Sequence, residues 1–493
     1  MSFAKRGKEN WILLVILLCA AVLRFFHLGL ESFWLDELFV ANECDPHQTL
    51  GSLFDALRHI DQHPPLFYLA ERSFFFFFGE SEVTARILPA AAGVVAVYAM
   101  YLLGKQLVNK RLGLVVAALA AVNHFLIWYS REARGYMFTF LFATLSLVYF
   151  FRLIDTARRK DLVLYIVFSL SAMYSHYFGV LFVFSEFCAA GAFIVFQSEQ
   201  PSRIKHLKNF GLAAGVLLVG YAVWIPVLLS FGKLTSFWIQ ALPADWLFIF
   251  FHNYFGDTPD LIHIMAILLV VYVLGAFARR NWKWPVTNRS NLHRSLLVLG
   301  MIALLCYGIP YVRGLMVTPM LQDRYTIVVL PGILLAIGWA IEMLPFAWLR
   351  YGLLAYLLVF SVQREGWYLK SYSKHYKTQF REVSAFIARD TTKNSYPVLN
   401  GRIGWFEMYY LKKFNYRGTI PDAPVSASID SLVNGRSSVW KTRGFWLMNG
   451  HGAGEPGSGL NIDSATQRKI DSNFHKVSEG RFFDAWAQLY ERK

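Results

Sequence analysis

Charge is scarce in this sequence. Asp, Glu, Lys and Arg supply 16% of its 493 residues, where a soluble globular protein carries about 25%. Cysteine is scarcer still. Of the four, Cys19, Cys188 and Cys306 sit inside apolar runs and Cys44 has no evident partner, so neither a disulfide framework nor a cysteine-based metal cluster follows. No internal repeat is present. A glycine-rich stretch, 451–459 (HGAGEPGSG), lacks the Lys-Ser/Thr of a phosphate loop and opens no clear helix, so it reads as a flexible loop.

Apolar residues are what the chain has in abundance. They make up 56% of it, aromatics 17%, and phenylalanine alone accounts for 43 positions. Runs of about 20 apolar residues recur, each long enough to cross a bilayer. That excludes a single soluble domain and a disordered chain. The candidate spans are 11–30, 83–104, 112–130, 135–153, 162–177, 178–196, 210–230, 260–278, 295–312, 324–343 and 347–363, about 11 transmembrane helices in all. The N-terminal stretch is too long for a signal-peptide core and shows no small-residue cleavage site, so it is read as a retained first span. The net charge of +15 divides into +8 after residue 363 and +7 before it, and neither is a nucleic-acid signature once basic loops facing an anionic leaflet are allowed for. The lipid bilayer is the expected partner, and no nucleic acid is.

One further apolar segment, 64–79, carries Glu71 and Arg72 at its middle, which a lipid-facing span tolerates poorly. If it lies at the interface, the inner loops hold 19 of the 28 Lys and Arg before residue 364, in line with the cytoplasmic preference of such residues. If it crosses, every later basic loop faces outward. The non-crossing arrangement predicts a multi-pass protein of the plasma (inner) membrane, N-terminus cytoplasmic and C-terminal domain extracytoplasmic. Residues 1–363 then form the membrane domain. Its first outer loop, 31–82, contains interfacial helices and ten of the 21 acidic residues that precede residue 364. Residues 364–493 read as a small α/β domain, with helices over 380–390, 406–412 and 465–473 and strands over 396–400, 445–449 and 482–489.

The ionisable residues on the outer side form an ordered series. Arg24 precedes Trp34-Leu35-Asp36-Glu37, whose aromatic and aliphatic flanks hold two acids against the bilayer, where desolvation raises a carboxylate's proton affinity and suits it to base chemistry. Taken alone, the pair is equally a solvated loop or a helix cap. Gln62-His63-Pro64-Pro65 places two prolines at the start of the interfacial helix and aims His63 into the same loop. Arg86 opens the next span, where it either snorkels or serves an anionic group at headgroup depth. Ser130-Arg131-Glu132-Ala133-Arg134 joins two spans on the outer side, and Asp323-Arg324-Tyr325 lies at the mouth of a later one. Arginines in outer loops run against the prevailing bias and ask for an anionic partner. Carboxylates beside guanidinium forks suit attack by a hydroxyl or amine on a sugar whose leaving group is a lipid phosphate.

These residues, in this order, resemble the large membrane glycosyltransferases of the GT-C fold, in the bacterial branch related to protein O-mannosyltransferases and to the lipid A aminoarabinose and galacturonic acid transferases. The resemblance covers roughly 11–345 and is strongest over 24–136. It implies an inverting transferase with a polyprenyl- or dolichyl-phosphate-linked sugar as donor and a glycolipid, glycan or protein acceptor. Asp36 matches the family's catalytic acid, the general base, and Glu37 its neighbour. Arg24 and Arg86 match arginines associated with the donor phosphate, and Glu132 and Arg134 match the second charged cluster. On position, His63 joins the catalytic candidates, and Arg324 with Tyr325 the phosphate-binding ones. Two departures stand out. Gln62-His63 replaces the Glu-Lys of the aminoarabinose transferases, which leaves a divalent metal site undecided and no cofactor assigned. The β-trefoil insertion of eukaryotic protein O-mannosyltransferases is missing, which favours an envelope glycolipid or glycan over a protein. A lipid-linked-sugar or small-solute transporter is the rival from another class. It calls for polar groups near the bilayer midplane, whereas most ionisable residues here lie at span ends.

Overall fold

The computed structural model describes residues 2–196, 200–233, 235, 238–256, 259–277, 289–371, 374–390, 393–400, 404–435, 442–457, 460 and 462–493. The basic loop residues Arg279, Arg280 and Lys283 lie outside the described residues, as do positions 458–459 of the glycine-rich stretch. The chain forms two compact units. The first comprises Met1–Phe26, Glu43–Glu80 and Thr84–Trp367, and the second His27–Asn42, Ser81–Val83 and Tyr368–Lys493.

The first unit is helical. Among the described residues, six helices are long and apolar enough to cross a membrane: Glu82–Leu107, Tyr136–Thr156, Tyr177–Phe196, Ser202–Ser230, Arg294–Met316 and Tyr325–Met343. The pair Lys110–Val122 and His124–Ser130 makes a seventh if counted as one span. The remaining expected spans fall on helices Ser2–Phe25, Arg159–Ser175, Pro259–Phe277 and Ala347–Ser371, and length and composition alone establish six or seven spans among the described residues. Tyr325–Met343 is the innermost, 89% buried, whereas Ser202–Ser230 and Arg294–Met316 are each 28% buried and present Leu218, Val219 and Leu304 outward. Apolar side chains turned outward are what a hydrocarbon solvent selects.

Segment 64–79 is a separate short helix, Leu66–Phe78. It starts directly after Pro65 and stops at Gly79, whose φ of 76° few other residues adopt. Arg72 on it clamps the preceding loop by donating to the carbonyls of Asp45, Pro46 and Gln48.

The expected span 112–130 is broken. Asn123 leaves the helical conformation (φ −67°, ψ 121°), and its side chain accepts from the Leu126 amide at 3.0 Å, capping a second helix bent 61° from the first. A break in an apolar unit releases carbonyls that water cannot reach. The fully buried Arg24 takes them up, donating to Ala120 O (3.1 Å) and Ala121 O (2.9 Å), while its Nε donates to Ser130 Oγ at 3.1 Å. Gly93 makes room for this contact, since a Cβ there would lie 2.2 Å from Ser130 Oγ and 2.8 Å from Arg24 Nε.

The second unit is built on a four-stranded sheet of β1 (Val398–Asn400), β2 (Gly444–Gly450), β3 (Phe474–Phe482) and β4 (Ala485–Arg492), in the order β1-β2-β4-β3. β1 and β2 are parallel and the other pairs antiparallel. β2 is buried along its whole length. Its alternate residues face two cores: Phe445 and Leu447 meet Ile429, Leu432 and Ile470, while Trp446 and Met448 meet Val383, Ile387 and Leu411. Helix Val425–Asn434 and strand β3 have no counterpart in the sequence reading, and the closing strand expected over 482–489 in fact contains a hairpin turn at Phe483-Asp484. Asp484 (φ 51°) also ties down the glycine-rich stretch: one carboxylate oxygen accepts from the amides of Gly452 (2.7 Å) and Ala453 (3.0 Å), and the other from Thr378 Oγ1 (2.6 Å).

Gly93→Ala is expected to destabilise the membrane unit by about 1–3 kcal/mol, the scale of an overpacked core. Thermal melting of the purified chain measures it. Adding Ser130→Ala, which removes the atom closest to the new methyl, should recover part of the loss.

Candidate active site

The membrane unit gathers its charged groups around Arg134, which is 4% exposed and sits in the turn before helix Tyr136–Thr156. Its Nη1 donates to Asp61 Oδ2 and to Tyr68 Oη, both at 2.5 Å, and Tyr68 donates to the same Asp61 oxygen at 2.7 Å. Asp61 Oδ1 stands 3.1 Å from His63 Nδ1, which also lies 2.6 Å from the Asp61 carbonyl. An Nδ1–H donating to Asp61 leaves Nε2 as the basic nitrogen of the ring. The prolines at 64 and 65 fix this corner, because neither can continue an upstream helix.

Two carboxyls of this cluster are pushed in opposite directions. Burial alone would raise Asp61, but Arg134 and then His63 outweigh it and hold the carboxyl well below the usual carboxylate range. Glu43, 4% exposed at the end of helix Leu35–Glu43, has no hydrogen-bond partner on either carboxyl oxygen among the described residues. Burial, with the charge of Asp61 added, pushes it up to about 9 against the pull of Arg134. At neutral pH the cluster therefore holds one ionised and one protonated carboxyl.

A ring-lined wall adjoins it. His176 lies between helices Arg159–Ser175 and Tyr177–Phe196, and its Nδ1 accepts from the Phe178 amide at 3.2 Å. Burial, then the neighbouring His63, Arg324 and Arg134, push its imidazole well below the usual value, so it is neutral. Its ring centroid is 5.9 Å from that of His63, 5.8 Å from Tyr136 and 5.0 Å from Tyr325. The Arg324 guanidinium lies over three rings, at 5.3 Å from Trp238, 5.6 Å from Tyr325 and 5.9 Å from Tyr136. Asp323 is anchored by Asn253 Nδ2 at 2.7 Å.

The residues expected from the sequence are thus distributed as follows. His63, Arg134, Arg324 and Tyr325 come together in the membrane unit. Glu132 (2% exposed) precedes Arg134 in the same turn, and Arg86 (2% exposed) is buried in helix Glu82–Leu107. The Arg24 guanidinium is occupied by Ser130 Oγ and the helix-break carbonyls. Asp36 and Glu37 belong to the second unit, where they open helix Leu35–Glu43. Asp36 is half-buried. Glu37 is fully buried, its Oε1 3.1 Å from Lys377 Nζ. Asp61, His176 and Glu43 escape the sequence reading, and Tyr68, which closes the motif 62–68, has no role in it. For Asp61 and Tyr68 a signal exists, since both flank the paired prolines. His176 and Glu43 carry none. Among the described residues, no three His, Cys, Asp or Glu side chains stand close enough together to hold a metal ion.

Residues 62–229 match the family model described as dolichyl-phosphate-mannose-protein mannosyltransferase. The dolichyl-phosphooligosaccharide-protein glycotransferase 1 of Pyrococcus horikoshii is 27% identical over 213 residues, 40% of this chain and 22% of that protein, so the chain spans about a fifth of the relative's length. Among solved structures, ArnT from Cupriavidus metallidurans in the apo state superposes with a TM-score of 0.61 at 11% identity, over 98% of both chains. The same protein bound to undecaprenyl phosphate gives 0.57 at 12% identity, over 97% of this chain and 98% of that one. The chain has the GT-C fold, as the resemblance read from its motifs implies.

The two carboxyls give opposite pH signatures. Glu43 ionises near its ordinary 4.5 in the unfolded chain and near 9 in the folded one, so its cost to stability grows as pH rises between those values. The contribution of Asp61 is complete above its ordinary 3.8 and is lost as pH falls below it. Glu43→Gln should therefore melt higher than the parent near pH 8.5 and not near pH 4.5. Asp61→Asn, which leaves Arg134 buried without its counter-ion, should cost about 3–5 kcal/mol at neutral pH. Melting curves of both variants at the two pH values check this.

Proposed function

We propose that the chain is an integral membrane glycosyltransferase that moves a sugar from a polyprenyl-phosphate donor to a hydroxyl or amine acceptor, with inversion. The observation that carries this reading is the Arg134–Asp61 cluster. A buried ion pair, a histidine and a guanidinium framed by aromatic rings gather inside an apolar unit of GT-C fold. The similarity to a dolichyl-phosphate-mannose-protein mannosyltransferase family and to an ArnT with undecaprenyl phosphate bound supports the same donor class.

In this reading the acceptor's lone pair attacks the anomeric carbon from the face opposite the phosphate. The bond from that carbon to the phosphate oxygen breaks, and its electron pair leaves on the lipid phosphate. Asp36 takes the acceptor's proton, assisted by Glu37. Arg134, Arg324 and Arg86 balance the charge that grows on the departing phosphate. Tyr325 and the neutral His176 give the sugar a ring-lined wall, and Glu132 and His63 complete the polar side. Arg24 acts at one remove, by closing the helix break that positions the turn carrying Glu132 and Arg134. The acceptor assigned is an envelope glycolipid or glycan. The site is assigned to the outer face of the inner membrane, with the N-terminus cytoplasmic and residues 364–493 extracytoplasmic.

A lipid-linked-sugar transporter is the second reading, and Glu186 is the observation in its favour. This fully buried carboxyl lies midway along helix Tyr177–Phe196 and accepts from Ser146 Oγ at 2.7 Å. Ser146 in turn pairs with Ser169 at 2.9 Å. That arrangement also suits a polar tie between helices, a common use of such groups in membranes.

Purified protein supplied with radiolabelled polyprenyl-phosphate sugars and envelope lipids should form labelled product. Asp36→Asn should cut turnover about 10²–10⁴-fold, the usual contribution of a general base. Uptake of intact donor into proteoliposomes without glycosidic transfer would overturn the reading in favour of transport.

A further inference from the structure

The acidic pair Asp36-Glu37 is held from the C-terminal part of the chain. Glu37 is fully buried, and a carboxylate taken out of water needs a counter-charge and hydrogen bonds to stay ionised. It has both. Lys377 Nζ lies 3.1 Å from Oε1, with the lysine side chain itself only 10% exposed, and the backbone amide of Trp34 donates to Oε2 at 3.4 Å. The ammonium also lies 5.9 Å from the Trp34 ring centroid.

Lys377 is not a flexible surface residue that happens to reach this carboxyl. Its backbone amide and that of Tyr376 donate to Glu31 (3.4 and 2.7 Å), and Ser32 Oγ donates to the carbonyl of Thr378 at 2.8 Å. A few residues on, Arg381 donates to the carbonyls of Gly29 (3.1 Å) and Leu30 (2.8 Å) and pairs with Glu82 at 3.1 Å. The Phe33 amide donates to Tyr410 Oη (2.7 Å), whose hydroxyl donates to Glu82 (2.8 Å). Both walls of the contact are thus fixed before the lysine is placed, so little side-chain freedom is lost in forming the pair.

We infer that Lys377 is a positioning residue for the transfer reaction: by neutralising and anchoring Glu37 it fixes the first turn of helix Leu35–Glu43 and so presents Asp36 to the acceptor. This rests on the reading of Asp36 as proton acceptor. It gives the segment around residue 377 a defined part in the chemistry, the supply of one ammonium group to the acidic motif of the same unit.

The test is a double-mutant cycle on the full chain in lipid nanodiscs, with labelled polyprenyl-phosphate sugar as donor. Lys377→Met should lower kcat about a hundredfold, the scale that a misplacement of about 1 Å produces, with KM for the donor changed far less. Lys377→Arg should restore most of the rate. Glu37→Gln combined with Lys377→Met should be no slower than Glu37→Gln alone, because both remove one interaction. Full activity of Lys377→Met, or additive losses in the double variant, would overturn the inference. Should Lys377→Met fail to fold, the double variant, in which no buried charge is left alone, keeps the comparison with Glu37→Gln. If the parent protein shows no transfer, the function itself is refuted. Thermal melting of the same four proteins then separates the two failures: additive shifts refute the ion pair as well.

Discussion

A helix broken inside an apolar unit must find donors for the carbonyls it releases, and much of the membrane unit depends on how Arg24 meets that demand. Its guanidinium bridges the carbonyl end of Lys110–Val122 and Ser130 at the end of the following helix. The bend is thereby fixed at both sides, and the turn that begins at Arg131 leaves in a defined direction. Arg134 is carried by that turn. The charge most central to the proposed chemistry is therefore placed by a second buried charge, and the absence of a side chain at Gly93 is the steric condition for both.

The second constraint is electrostatic. In a low-dielectric surrounding, neighbouring carboxyls cannot both ionise cheaply, and the fold decides between them by allocating partners. Asp61 receives Arg134, Tyr68 and His63, whereas Glu43 receives none of them. The outcome is an asymmetric pair built from two similar side chains. In the second unit the opposite solution appears, for Glu37 is buried to the same degree yet is matched by an ammonium.

Much of this was legible in the sequence. Apolar runs reveal a helical membrane protein, and their end at residue 363 reveals a small C-terminal α/β part, because bilayer thickness acts on composition directly. The ordered charged motifs lead to the GT-C fold. Several features were not legible, each for a physical reason. The break at Asn123 is hidden because apolarity runs unbroken through 112–130, and only the local capping chemistry of one side chain marks it. Strand β3, with exposed residues on much of its length, lacks the alternation that would reveal it. The turn at Phe483-Asp484 falls within a run of strand-forming residues. Asp61 and Glu43 become conspicuous only when folding deprives them of water, and Lys377 only when a contact spanning about 340 positions of sequence is closed.

The glycine-rich stretch illustrates how a fold can silence a motif. Consecutive amides of the kind presented by Gly452 and Ala453 make a small positive cradle that would ordinarily welcome an anion from solution. Here the chain supplies its own occupant, the carboxylate of Asp484. An incoming phosphate would meet a seat already taken, together with repulsion from its holder. The stretch is thus self-liganded: composition that invites comparison with nucleotide binding has become an internal staple that locks the sheet's hairpin to the segment leading in from the membrane helices.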